Sequence, residues 1–326
     1  MGKLKIGFIG CGSISYGHLY QIKKIEDVEI TGVFDPKKEN VNKFLSEAGE
    51  GKIFTSEEEL IKNVDAVIIC SPHTSHFPQI KTALENGVDV LVEKPAVVNY
   101  EEAIKLRKLI EKTGRKVVVG YQKHYMELPL SVKKIIQEGK IGKILFLSGF
   151  LSQNWIEGIT KSGRIWRFDP KFSGKGQLTD SGSHFISMLF WITSLTPEKV
   201  GAFIEFFDKK VDINSSFTVK FKEGALGSFG ILGIDPSFRE SLMIWGEKGL
   251  IKLSLFGENS YIHYNGEKEP KKISVSKPTI ISPVDDLIKC IRENKEPETD
   301  ISVIEKVALL SDKIYESFNK EKIVNC

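Results

Sequence analysis

The chain has little of what would set it apart from ordinary folded enzymes. Its four cysteines, Cys11, Cys70, Cys290 and Cys326, form no CxxC pair and no metal-ligand spacing. Disulfides and structural zinc are therefore not expected, and reduced thiols suit a cytoplasmic protein. No apolar run approaches the ~18 to 20 residues of a membrane span, and the N-terminus lacks the apolar core of a secretory leader. The formal charge of +3 is spread through alternating Lys and Glu. Without a concentrated basic face, nucleic-acid binding is not expected. Internal repeats and low-complexity tracts are absent. What remains is a chain of 326 residues, 41% apolar and 27% charged, long enough for two domains.

Residues 1–122 alternate short β-branched runs with amphipathic segments, and 4–9, 29–34, 52–54, 66–70, 88–92 and 116–119 read as strands. That rhythm predicts parallel strands with crossover helices, a doubly wound domain. Ser56 with Glu59 and Asn99 with Glu102 have capping-box spacing, while Gly87 and Gly114 stand just past apolar-periodic stretches. Residues 123–326 change pattern: a helix near 128–138, a strand near 144–151, a loop over 153–177, and a helix from about 179 to 193. Short alternating strands follow from 199 to 275, with turn signals at Lys222-Glu223-Gly224, Gly246-Glu247-Lys248-Gly249 and Asn265-Gly266. Two closing helices, 284–294 and 301–319, complete an α+β domain with a mostly antiparallel sheet. Phe203, Phe217, Phe221 and Phe229 are expected to give that sheet an apolar face for a second subunit.

The first strand runs into Gly10-Cys11-Gly12-Ser13-Ile14-Ser15 and then a helix, so backbone amides and a helix N-terminus are available to a dinucleotide pyrophosphate. Ser15 replaces the third glycine of the usual fingerprint. The strand-turn-helix context makes the match informative. Asp35, about 20 residues further on, can accept the adenosine ribose hydroxyls, which favours NAD. It can also cap the helix after Pro36, and Lys37 and Lys38 can neutralise a 2′-phosphate, which keeps NADP open. Ser71, Pro72, His73 and His76 lie at the carboxyl end of the fourth strand, the edge where open parallel sheets bind ligands, although His76 can equally be a packing histidine.

Glu93-Lys94-Pro95 ends the fifth strand on the same edge, and Lys94 is expected to present its ammonium to a substrate hydroxyl. Asp180 and His184, four apart, are expected on one face of a helix. The structural alternatives are a helix cap for Asp180 and a satisfied core imidazole for His184.

With these elements in order, the chain resembles the Gfo/Idh/MocA family, the glucose-fructose oxidoreductase and inositol dehydrogenase relatives. The matching elements are the glycine turn, Ser71-Pro72 with His76, Glu93-Lys94-Pro95, Trp166-Arg167 before Gly174-Lys175-Gly176, and Asp180 with Gly182 and His184. The resemblance implies a Rossmann domain followed by a domain with a large open sheet, NAD(P) as cofactor, a sugar or cyclic polyol as substrate, and sheet-mediated dimers or tetramers. It makes Lys94, Asp180 and His184 the catalytic group and implies a cis peptide before Pro95. Ser187 stands where many relatives carry aspartate, His73 where asparagine is common, and Lys123 where arginine is frequent.

The expected chemistry is hydride exchange between a ring secondary alcohol and nicotinamide. His184 serves as acid and base, Lys94 stabilises the alkoxide, and Asp180 orients His184 or binds a neighbouring hydroxyl. Lys123, Trp155, Arg164, Trp166 and Arg167 are candidate substrate contacts. Arg164 and Arg167 can instead meet a carboxylate or phosphate. Two rival readings remain on this fold: an NAD-dependent glycoside hydrolase without net cofactor turnover, and a non-enzymatic NAD(P)-binding sensor.

Overall fold

The computed structural model describes residues 2–256, 259–275 and 277–326. In chain order its elements are β1 (Leu4–Ile9), α1 (Ser13–Ile22), β2 (Val28–Phe34), α2 (Lys38–Ala48), β3 (Lys52–Ile53), α3 (Glu57–Ile61), β4 (Ala66–Ile69), α4 (His73–Glu85), β5 (Asp89–Val92), α5 (Tyr100–Thr113), β6 (Val117–Val119), α6 (Glu127–Gln137), β7 (Ile144–Ser152), α7 (Trp155–Lys161) and α8 (Pro170–Ser173). There follow α9 (Gly182–Thr193), β8 (Pro197–Glu205), β9 (Asn214–Phe221), β10 (Leu226–Leu232), β11 (Arg239–Gly246), β12 (Gly249–Ser254), β13 (Tyr261–Tyr264), β14 (Lys271–Lys272), α10 (Pro283–Glu293), α11 (Ile301–Lys320) and β15 (Val324–Asn325). Among the described residues no helix is long and apolar enough to cross a membrane.

One compact unit comprises 1–97, 101–122 and 280–301. Its six strands are parallel in the order β3-β2-β1-β4-β5-β6. Every residue of β4, β5 and β6 is buried, as expected where both faces of a parallel sheet are covered. The strand order reverses between β1 and β4, and the carboxyl edge at such a switch point is where ligands bind in open α/β sheets. Local signals are met as drawn: Ser56 Oγ accepts the Glu59 amide, and Gly87 and Gly114 take φ of +78° and +64°, the left-handed C-terminal position that favours glycine. Segment 280–301 returns to this unit, a difference from a single cut after residue 122. The reason is the apolar stripe of α10: Val284, Leu287 and Ile288 bury in one cluster with Phe8, Leu91 and Val118.

The other unit comprises 98–100, 123–279 and 302–326. Its nine strands run β14-β13-β12-β11-β7-β10-β9-β8-β15, antiparallel except for the β7–β10 pair. The loop expected over 153–177 carries α7, α8 and a 3-10 turn at Ile165–Phe168. Helix α9 packs on the sheet, with the Phe185 ring 6.0 Å from Phe229. Three of the four phenylalanines expected on the open face are instead core: Phe217, Phe221 and Phe229 are buried, and only Phe203 is exposed, at 81%. Strand parity explains the split. Ala202 pairs with Phe217 whereas Phe203 pairs with Ser216, and one step along a strand changes faces.

Candidate active site

In the first unit the turn after β1 is shaped for a ligand that approaches backbone. Gly10 has φ of +88°, and a Cβ there would lie 2.7 Å from the Cys70 carbonyl carbon. Gly12 caps α1 without a side-chain hydrogen bond, and a Cβ on it would meet nothing within 4 Å. The N-terminus of a ten-residue helix thus faces open space, as a pyrophosphate requires. Ser13 and Ile14 are exposed on its first turn. Ser15, in place of the third glycine, is fully buried and donates to the Gly12 carbonyl at 2.6 Å, so its hydroxyl closes the turn. These features fit a dinucleotide.

Asp35, at the end of β2, accepts the Cys11 amide at 2.8 Å with Oδ2 and the Lys37 amide at 2.8 Å with Oδ1. It therefore fastens the glycine turn and begins α2 together. Asn40 Nδ2 lies 3.2 and 3.3 Å from the same two oxygens, so a ribose hydroxyl would have to share or displace that side-chain contact. Burial pushes the neighbouring Cys11 thiol up to about 12, with the Asp35 charge adding to it, so this cysteine is a packing group and not a nucleophile.

Beyond β4, Ser71 donates to Gln79 at 2.6 Å, and His73 and His76 are buried in the first turns of α4. The His76 ring nitrogens lie 2.7 Å from the Pro95 carbonyl and 2.8 Å from that of Ser71. Burial holds this imidazole below its ordinary pKa, although both carbonyls and the Glu93 carboxylate pull the other way. His76 thus ties the loop after β4 to the loop after β5. The Lys94-Pro95 peptide is cis, and Lys94 is half-buried two residues past β5. Glu93 is buried, 2.8 Å from His18 Nε2. Burial raises its pKa, yet the His18 hydrogen bond and the charges of His18, Lys94 and His76 outweigh that and leave it below the usual range. Glu93 is therefore an anionic anchor beside Lys94. His18 and Gly120 were not foreseen: a Cβ at Gly120 would press 2.8 Å from Glu93 Oε1, and His18 lies 75 residues away in sequence.

In the second unit Asp180 differs from expectation. It lies in the turn before α9, whose cap is Ser181, and its amide donates to the Gly176 carbonyl at 3.0 Å. The carboxylate is buried. It accepts Trp155 Nε1 at 2.8 Å and pairs with Arg167 Nε at 2.9 Å. Trp155 is therefore buried support for Asp180, with its ring edge-on to Phe168 at 5.5 Å. The Trp166 ring lies 4.5 Å from the Arg167 guanidinium. Arg164 is exposed just before the 3-10 turn and donates to Ser162 at 2.7 Å. Lys123 is buried in an ion pair with Glu240 of β11, so its charge is compensated within the protein. His184 is half-buried in the first turn of α9. Ser187 Oγ donates back to the His184 carbonyl at 3.2 Å. The structure thus brings Trp155, Arg167 and Asp180 together and gives Lys123 a separate partner.

One supporting residue was missed. The Asp212 carboxylate accepts the amides of Gly176 and Leu178, each at 2.7 Å, and the Tyr315 hydroxyl from α11. Its carbonyl accepts the Gln177 amide at 3.0 Å. A Cβ on Gly176 would sit 2.0 Å from that carbonyl oxygen, which is why glycine stands there. The turn that delivers Asp180 is thereby bolted to the sheet.

Residues 4–121 match the model of an oxidoreductase family with an NAD-binding Rossmann fold, and 130–252 match the GFO/IDH/MocA C-terminal domain. The chain belongs to the GFO/IDH/MocA family. It is 29% identical over 189 residues, 58% of its length, to glucose-6-phosphate 3-dehydrogenase of Bacillus subtilis, of which the match spans about half, 53%. It is 25% identical to Oxidoreductase P35 of Formosa agariphila, over 81% of this chain and 83% of that protein. The fold is that of levoglucosan dehydrogenase solved with NADH and levoglucosan, at a TM-score of 0.86 and 20% identity, covering 99% of both chains.

Proposed function

We propose that this protein is an NAD(P)-dependent oxidoreductase that interconverts a ring secondary alcohol and its ketone on a sugar, sugar derivative or cyclic polyol. The observation that carries the reading is the buried Asp180 carboxylate, fixed by Trp155 and Arg167 four residues before a half-buried His184. A structural cap would not need both an indole donor and a guanidinium ion pair, whereas a group that orients a reacting partner does. Named relatives that act on phosphorylated and anhydro sugars support the substrate class.

Residues 1–122 would hold the dinucleotide: Gly10, Gly12, Ser13 and Ile14 at the pyrophosphate, Asp35 at the adenosine ribose, and Ser71, Pro72, His73, His76, Glu93 and Lys94 toward the nicotinamide. When bound, nicotinamide supplies the hydride acceptor. His184 takes the hydroxyl proton and returns it in the reverse direction, the acid and base role open to an imidazole. Lys94 stabilises the developing alkoxide, and Asp180 positions His184 or a neighbouring hydroxyl. Residues 123–326 would supply the substrate contacts. Asp35 favours NAD, while Lys37 and Lys38 allow NADP.

We further propose a cytoplasmic homodimer or homotetramer built on the open sheet face. Phe146 and Leu226 pair there in register, and both are exposed together with Phe203. Light scattering of the purified protein checks the assembly.

The reaction is tested by absorbance of reduced nicotinamide while the protein, with NAD or NADP, is offered inositols, aldoses, sugar acids and sugar phosphates. Multiple-turnover growth with one of them is expected. No growth across the panel, together with aglycone release from a nitrophenyl glycoside, would overturn the reading in favour of a hydrolase.

A further inference from the structure

The turn that supports Asp180 carries more positive charge than that support needs. The Arg167 amide donates to the Arg164 carbonyl at 3.1 Å. Arg164 caps the 3-10 turn that carries Arg167, close enough for the Arg167 charge to act on it. Between them they have one carboxylate, Asp180, held by Arg167 Nε. Arg164 bonds only the neutral Ser162 hydroxyl, and among the described residues no carboxylate lies within 4 Å of it.

Arg167 adds a second, independent sign. Its Nη1 and Nε are both buried and neither has a hydrogen-bond acceptor among the described residues, Nε meeting Asp180 only as an ion pair. A buried charged donor left without an acceptor is costly, and native proteins rarely keep one unless something else supplies the acceptor. The Trp166 ring covers one face of the same guanidinium, which leaves its edge as the remaining direction of approach. Close by, Lys209 Nζ stands 5.4 Å over the Phe168 ring, again with no carboxylate within 4 Å among the described residues. Burial and the Arg167 charge lower the Arg164 pKa, with Asp180 opposing, as two cations sharing one anion must.

We infer that Arg164 and Arg167 form a subsite for an oxyanion of the substrate, a carboxylate or a phosphate, so that the sugar is acidic and not a neutral polyol. Forked N–H donors meet either group with two bonds, and such charge-assisted contacts are about twice as strong as neutral ones. Arg167 keeps its charge paired with Asp180 and offers Nη1 to the ligand, while Arg164 supplies the uncompensated charge. If Arg167 served only to hold Asp180, the second guanidinium and the acceptorless Nη1 would have no purpose.

The inference rests on the oxidoreductase reading for its sugar, and the two fail separately. Calorimetric titration of the full-length protein at constant ionic strength would compare glucose with glucuronate and glucose with glucose 6-phosphate. One anionic member is expected to bind at least about tenfold more tightly than its neutral partner, and which of the two does so distinguishes carboxylate from phosphate. Arg164→Gln, an exposed replacement checked by an unchanged melting temperature, should erase the difference between the anionic and the neutral sugar. Arg164→Lys should keep part of it, since the charge stays and the fork is lost. Equal affinity within both pairs, an undiminished preference in Arg164→Gln, or no anionic binding at all would overturn the subsite. Nicotinamide reduction followed on the same sugars separates the two claims. Anionic preference without reduction sinks the oxidoreductase reading and keeps the subsite, and reduction that ignores substrate charge does the reverse.

Discussion

The two units hold their candidate site residues by different means. The parallel-sheet unit presents backbone: Gly10, Gly12 and the start of α1 form a cradle within a few residues of one another, and Asp35 only braces it. The antiparallel-sheet unit presents side chains, and each is held from far away. Asp180 depends on Trp155, 25 residues earlier, and its turn depends on Asp212 and through it on Tyr315, 103 residues beyond Asp212. A backbone cradle is fixed by local conformation. A side-chain site fixed by distant partners can be re-aimed by a single substitution.

The sharpest break in this comparison comes from the groups assigned to the reaction itself. His184→Gln and Lys94→Met should each lower kcat by about 10²- to 10⁴-fold, with NADH affinity, read by fluorescence titration, unchanged for His184→Gln. Loss of NADH binding in His184→Gln would show that the second unit does not act as a separate half.

Next in size is Gly10→Ala. Its Cβ would meet the Cys70 and Ser71 backbone under 3 Å at a φ that L-residues rarely adopt, so a destabilisation of ~1 to 3 kcal/mol is expected, together with weakened cofactor binding. Urea unfolding followed with and without NADH measures both. A Gly10→Ala protein that binds cofactor normally would mean that the close approach is not what shapes the cradle.

Asp212→Asn probes the other half. The amide keeps the volume but turns one acceptor into a donor facing the Gly176 or Leu178 N–H. Turnover should fall roughly tenfold through misplacement of Asp180, with cofactor affinity intact. A loss confined to KM would instead make Asp212 a substrate-side residue.

The contrast also decides what could be read from residues alone. The glycine turn, the caps at Ser56, Gly87 and Gly114, and the strand rhythm were legible because each is set within a few residues. Asp180 and His184 could be singled out, but the geometry of Asp180 could not: a spacing of four predicts a helical face, while the Gly176–Asp212 contact holds Asp180 in the turn ahead of α9. Trp155 reads as a sugar platform from composition, and only the fold turns its indole N–H onto Asp180. His18 against Glu93 had no sequence signal at all. The placing of α10 in the first unit failed for the same reason, since an amphipathic stripe states that a partner exists without saying which sheet it is.

The smallest effect concerns stability and separates packing histidines from reacting ones. His124 stacks on Trp191 with ring centroids 4.6 Å apart. Burial, then the charges of Lys133 and Lys123, hold its pKa down at about 3, against the pull of the Ser187 carbonyl. The unfolded chain takes up a proton near pH 6.5 that the folded protein refuses until about pH 3. Folding stability should therefore be unaffected by this group above neutrality and fall as pH drops below ~6.5, by up to ~1.4 kcal/mol per pH unit. His76, lowered in the same direction, adds to the slope. Urea midpoints between pH 7.5 and 5 should decline, and His124→Gln should decline less steeply. An identical slope in His124→Gln would place the acid sensitivity in the first unit, with His76, and make the backbone cradle the more fragile half.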